Sequence, residues 1–166
     1  MLGMKAKLVF LHGLESGPQG SKYQALQELD TEMIAPNCQG INDIAERLQI
    51  IEDSLEGVER MVLVGSSFGG LAALLFAQGE HRRDRIAGCL LCAPAIPLAA
   101  PETIPWIPPN TVVLHGTDDD VIPHHFSRAF CEERGVRLVT VEDDHRLADS
   151  RELMVDLVRE LMDCQD

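Results

Sequence analysis

Residues 61–77 constrain the fold of this chain more than any other stretch. Met61-Val62-Leu63-Val64 is a short apolar run that ends on Gly65, and a second apolar run, Leu71 to Ala77, begins five residues after Ser66. The first run reads as a buried strand and the second as a buried helix, so the chain must turn sharply between them. Ser67 has Gly65 two positions before it and Gly69 two after, which is G-x-S-x-G spacing. Ser66 has Val64 and Phe68 in those places and fails on both sides. A strand and a helix can pass this closely only where the flanking positions carry no side chain. Such a turn lifts the Ser67 hydroxyl above the sheet at a helix N-terminus, where backbone N–H groups and the helix dipole favour developing negative charge.

The same strand-then-helix alternation runs through the rest of the chain. Apolar runs at 7–11, 32–35, 60–64, 86–93, 111–115 and 136–141 read as six strands. Helical spacing joins Ile41, Ile44, Ala45, Leu48, Ile51 and Leu55 up to the stop at Gly57. Ser21 with Gln24 forms a capping-box pattern opening a helix to about residue 30. Further helices are expected at 67–78, 124–134 and 149–162, and the charged residues 80–85 form a solvated turn. Residues 94–110 hold six of the nine prolines and the only tryptophan, Trp106, and read as a short Pro-rich flap. This pattern predicts an α/β fold of about six mostly parallel strands with helices on both faces, a single three-layer α/β/α domain over residues 1–166.

Composition narrows the partners. The net charge of −13 argues against nucleic acid and against anionic membrane surfaces. No apolar run reaches membrane-spanning length, and no secretory signal is expected at the N-terminus. Five cysteines, an odd number, suit unpaired thiols in a reducing cytoplasm. Cys89 and Cys92 lie inside an apolar strand with no second ligand pair, so they read as structural and no metal site is expected.

In a parallel α/β sheet, ligands bind where the strands end. Four expected strands are followed at once by reactive groups: His12-Gly13-Leu14, then Ser67, then the segment His115 to Pro123, then Glu142-Asp143-Asp144-His145. A serine, an aspartate and a histidine on one sheet edge are the parts of an activated-serine site. The hydroxyl needs a base to take its proton, and the base needs a carboxylate to orient it.

These segments resemble the α/β-hydrolase superfamily over nearly the whole chain. The segment His115-Gly116-Thr117-Asp118-Asp119-Asp120-Val121-Ile122-Pro123 is similar to the superfamily's H-G-x-x-D-x-x-V-P, with Ile122 for Val. That register selects Asp119 from three consecutive aspartates. His12-Gly13 with its Ser-Gly-Pro loop, and the elbow around Ser67, resemble a compact, capless bacterial serine esterase subgroup. The resemblance implies Ser67 as nucleophile, His145 as base and Asp119 as its orienting acid. The backbone N–H groups of Leu14 and Phe68 would form the oxyanion hole. It implies no metal or organic cofactor and a small-molecule acyl ester or thioester as substrate. His12, Ser66 and Trp106 are candidate pocket residues, although His12 and His115 also belong to turns where bonds to backbone are expected. A non-catalytic α/β-hydrolase-like binding protein is the alternative, and it would be expected to lack one member of the triad.

Overall fold

The computed structural model describes residues 5–163. Five strands form one parallel sheet, in chain order: β1 (Lys7–Leu11), β2 (Met61–Ser66), β3 (Ile86–Cys92), β4 (Thr111–Gly116) and β5 (Arg137–Val141). The register sets Lys7 beside Met61, Val64 beside Leu90, Leu91 beside Val113 and Leu114 beside Val139. Around the sheet lie α1 (Ser21–Leu26), α2 (Ile44–Ser54), α3 (Phe68–Phe76), α4 (His124–Arg134) and α5 (Arg151–Asp163).

Because strand side chains alternate, each strand serves two cores. Val9, Leu11, Leu63, Leu91 and Val113 pack with Ile51 of α2, Leu71 and Leu74 of α3 and Phe130 of α4. Leu8, Phe10, Val64, Leu90 and Leu114 pack on the opposite face with Leu26 of α1 and Met154 and Leu157 of α5. This is why the inner strands read as continuous apolar runs.

The expected strand at 32–35 is reduced to one parallel bridge, in which Ile34 pairs with Val9. Phe10 N–H donates to Ile34 O at 2.9 Å, and Ile34 N–H to Leu8 O at 3.0 Å. Pairing cannot extend further. Pro36 has no N–H to give, and Asp30 Oδ2 already takes the N–H of Leu8. The bridge nevertheless fixes the topology. From β1 the chain steps outward to Ile34, with α1 on one face, and then returns past β1 to β2, with α2 on the other. The direction therefore reverses between β1 and β2, where the loops after those strands diverge and leave a crevice.

Two local expectations change. Ser21 is the first helical residue and Gly20 the cap, with no side-chain capping bond, so the capping box does not form. The charged stretch Glu80–Arg85 is a short 3-10 helix rather than a solvated turn. Arg82 donates to Phe76 O and pairs with Glu52, and Arg85 donates to Val58 O and Leu55 O. Among the described residues no helix is long and apolar enough to cross a membrane. Cys38, Cys89, Cys92 and Cys131 are free and buried. Burial pushes the thiols of Cys92 and Cys131 up to about 11, and that of Cys89 up to about 12, so they behave as structural groups. Cys164 lies outside the described residues.

Candidate active site

The turn after β2 has the form its glycines require. Ser67 sits at φ 56° and ψ −115°, a backbone conformation that costs a non-glycine residue about 1–3 kcal/mol. Surrounding bonds hold it there. Ser67 N–H donates to Cys92 O at 2.9 Å, and Ser67 O accepts from Gly70 N–H and from Ala95 N–H, each at 3.0 Å. A side chain at Gly65 would run into the Gly69 backbone, and one at Gly69 into the carbonyls of Leu11 and His12. The end of β1, the elbow and the first turn of α3 are thus pressed together, with Ser67 at the apex.

The loops after β4 and β5 bring in the other two groups. They are tied to each other by Thr117 N–H to Val141 O at 2.8 Å and Asp118 N–H to Asp143 O at 3.0 Å. His145 Nδ1 stands 2.7 Å from Asp119 Oδ2, and His145 Nε2 stands 3.0 Å from Ser67 Oγ. Asp119 Oδ1 accepts the N–H groups of Val121 and Ile122 at 2.9 and 2.8 Å, so its carboxylate is fixed in orientation. The Asp119 side chain is fully buried, whereas that of His145 keeps about a fifth of its surface exposed. A buried acid, a mostly buried base and a serine at a helix start, bonded in series, form an arrangement that can pass a proton from hydroxyl to imidazole.

Asp118, Asp120, Asp143 and Asp144 take no part in that series. Asp143 is buried and accepts from Asp144 N–H, Asp149 N–H and Ser150 Oγ, which shapes the loop presenting His145.

His115 does more than its motif indicates. It is fully buried, and its Nε2 donates between Asp119 Oδ2 at 3.0 Å and Ile122 O at 2.7 Å. Its Nδ1 lies 2.6 Å from the buried Ser127 Oγ on α4. Asp119 is therefore held by two imidazoles, and its side chain is anchored through His115 to α4.

The loop after β1 supplies the remaining polar groups. Leu14 and Phe68 flank the elbow, and among the described residues neither N–H has an acceptor. The N–H of Gly13 is already taken by Ser16 Oγ at 3.2 Å. Gly13 lies against Ser67, since a methyl group added there would meet the Cβ of Ser67 at 3.4 Å. His12 is buried and braces this loop instead of lining a pocket. Its Nδ1 donates to Gly13 O at 2.8 Å, and its Nε2 accepts from Cys38 N–H at 2.9 Å. Burial, more than any other influence, lowers its pKa below the usual histidine value.

Arg47 was not singled out by the sequence, yet it organises the same loop. It is 1% exposed and donates to Ile41 O, His12 O and Gly13 O at 2.6, 2.8 and 3.1 Å, with its guanidinium 5.0 Å from the centre of the Phe68 ring. The available signal was its place on α2, on the apolar stripe with Ile44, Leu48 and Ile51, where a solvated charge does not belong.

Ser66 ends β2, half-buried beside the elbow. Trp106 is held at the end of α3 remote from Ser67. Gln78 binds both its N–H, at 3.1 Å, and its carbonyl, at 2.8 Å, and Arg83 stacks on its ring at 5.1 Å. Gln78 lies past Phe76, the far end of α3, which is itself about 13 Å along the helix axis from Ser67 at 1.5 Å per residue. The Pro-rich segment thus starts at the elbow, through Ala95, and is anchored at the opposite end of α3.

No protein-family model matches the chain, and no curated protein sequence does. Solved structures do match it. One is a protein from Xanthomonas campestris pv. campestris, provisionally described as a hydrolase of the alpha/beta superfamily. It is 24% identical, with TM-score 0.75, over 95% of this chain and 97% of its own. A provisionally described hydrolase from Agrobacterium vitis S4 is 20% identical, with TM-score 0.75, over 95% and 88%. Est1E from Butyrivibrio proteoclasticus is 23% identical, with TM-score 0.74, over 97% and 88%. At these identities the likeness is one of architecture, and the chain has the α/β-hydrolase fold.

Proposed function

We propose that this protein is a serine hydrolase that cleaves carboxylic esters or thioesters of small acyl substrates through an acyl-enzyme on Ser67. The observation that carries this reading is the bonded series Ser67 Oγ, His145 Nε2, His145 Nδ1, Asp119 Oδ2, with spacings of 3.0 and 2.7 Å, at the crevice where the strand order reverses. The likeness to a protein provisionally described as a hydrolase of the alpha/beta superfamily supports it.

In this mechanism Ser67 Oγ attacks the acyl carbon while its proton passes to His145 Nε2. Asp119 keeps the other ring proton on Nδ1 and stabilises the imidazolium. The carbonyl oxygen becomes an oxyanion, met by the free N–H groups of Phe68 and Leu14. As the tetrahedral adduct collapses, the acyl–oxygen or acyl–sulfur bond breaks and His145 protonates the departing alcohol or thiol. Water, deprotonated by His145, then attacks the acyl-enzyme and releases the acid and free Ser67. No step calls on a metal or organic cofactor.

A purely binding role would leave the strained Ser67 backbone and its hydrogen bond to His145 without a use. Labelling with a fluorophosphonate probe, read by intact mass on wild type and Ser67→Ala, separates the two. The hydrolase reading expects one adduct per wild-type chain and none on the variant. Folded wild type that stays unlabelled would favour the binding role.

A further inference from the structure

An apolar groove of about 390 Å³ runs beside the elbow. Its floor is the stripe Phe68, Leu71 and Leu75 on α3, and its walls are Ile44 of α2 and, across from it, Leu98 and Ala100 of the Pro-rich segment. Asn42 and Thr103 are its polar lining residues, and no charged side chain lines it. The groove begins at Phe68, the residue after the nucleophile, and follows α3 away from the site. We infer that this groove binds the acyl chain of the substrate, and that the chain it takes is straight, uncharged and of medium length.

Geometry sets the length. Phe68 to Leu75 spans about 10 Å of helix axis at 1.5 Å per residue. An extended chain advances roughly 1.2 Å per bond, so the groove holds about eight carbons. The surroundings agree with an apolar occupant. Leu14, Leu98 and Val121 are large apolar side chains left exposed, Leu98 by 63% and Val121 by 60%, and they belong to the loops after β1, β3 and β4 that surround the elbow. The neighbouring cavity across Ala99 is smaller, about 180 Å³, counts Glu133 and Arg134 among its walls, and has no wall residue on the elbow. It does not suit the same role.

This inference rests on the hydrolase reading, and the experiment separates the two. Fluorophosphonate labelling of Ser67 comes first, because its absence would remove both. On labelled enzyme, kcat/KM is measured for p-nitrophenyl esters from acetate to dodecanoate on wild type, Leu75→Trp and Ala100→Trp. Each methylene entering the groove raises kcat/KM by up to about fourfold, so octanoate should exceed acetate by at least about tenfold before longer chains decline. Either tryptophan should fill the groove and lower the octanoate-to-acetate ratio at least about fivefold. A wild-type profile that falls steadily from acetate overturns the inference, as does an unchanged ratio in folded variants. If neither variant folds, the wild-type profile decides alone.

Discussion

Arg47 Nη2 donates to the carbonyl of Gly13 at 3.1 Å, and Gly13 packs against the Cβ of Ser67, so a helix on one face of the sheet sets the position of the loop that borders Ser67. The guanidinium is buried, is bonded to three carbonyls and faces the ring of Phe68. Both expected oxyanion donors, Leu14 and Phe68, are therefore adjacent to groups that Arg47 touches. Arg47→Met would leave buried carbonyls unpaired and should destabilise the fold by about 2–4 kcal/mol. It should also slow fluorophosphonate labelling of Ser67. Arg47→Lys keeps the charge but lacks the planar fork, so it should recover only part of either loss. Urea unfolding and labelling rates check both; a Met variant labelled at the wild-type rate would show that the loop holds its place without the arginine.

Asp119 is expected to act by fixing His145 rather than by taking a proton. Asp119→Asn keeps the side chain's shape but sets an amide where Nδ1–H must be accepted, which favours the wrong tautomer. By analogy with other Ser-His-Asp sites, kcat should fall by about 10⁴-fold. Because Asp119 Oδ1 also accepts Val121 and Ile122 N–H, the thermal transition of the variant must be recorded beside its rate. A folded Asn variant with wild-type kcat would remove Asp119 from the mechanism.

Gly69→Ala tests the elbow itself. The added methyl would overlap the carbonyls of Leu11 and His12, which belong to the paired end of β1 and to a braced loop and cannot yield. Overpacking of rigid backbone costs more than overpacking of a side chain, so a loss beyond about 3 kcal/mol is expected. Chemical denaturation measures it, and a variant as stable as wild type would mean that β1 and α3 are less closely packed than described.

Where the sequence pointed to the candidate site, it did so through backbone constraints. Ser67 was legible because glycine spacing separated it from Ser66, Asp119 because His115-Gly116 and Pro123 set its register among three aspartates, and His145 because one histidine follows the last strand. Arg47, which is as central to the loop, carries no backbone signature, and its one signal is a charge set on the apolar stripe of α2 between Ile44 and Leu48. His115 was read as a turn residue, and only the packing of α4 shows Ser127 on one side of it and Asp119 on the other. The place of Trp106 was hidden for a related reason. An aromatic in a Pro-rich segment carries no register, and Gln78 and Arg83 decide its place. The strand expected at 32–35 had the right composition, but pairing on the edge was limited by Asp30 and Pro36, which strand propensity does not count.

His12 gives the protein a predictable weakness in acid. Its ring is buried, with Nδ1–H donated to Gly13 O and Nε2 accepting from Cys38 N–H. Protonation would place an N–H against the N–H of Cys38 and a positive charge near Arg47, and burial already holds the pKa below its usual value of 6.5. The unfolded chain titrates near 6.5 and the folded one lower. The stability contributed by neutral His12 is therefore fully present above about pH 6.5 and is lost as pH falls from there through the folded pKa. The slope of unfolding free energy against pH below 6.5 should be steeper for wild type than for His12→Asn, which keeps polar atoms but does not titrate. Ser67 labelling should weaken over the same range, because the loop that His12 braces is the one beside Ser67. Equal slopes in the two proteins would show that His12 is protonated as easily in the folded chain as in the unfolded one, and its bond to Cys38 would then have to be reassigned.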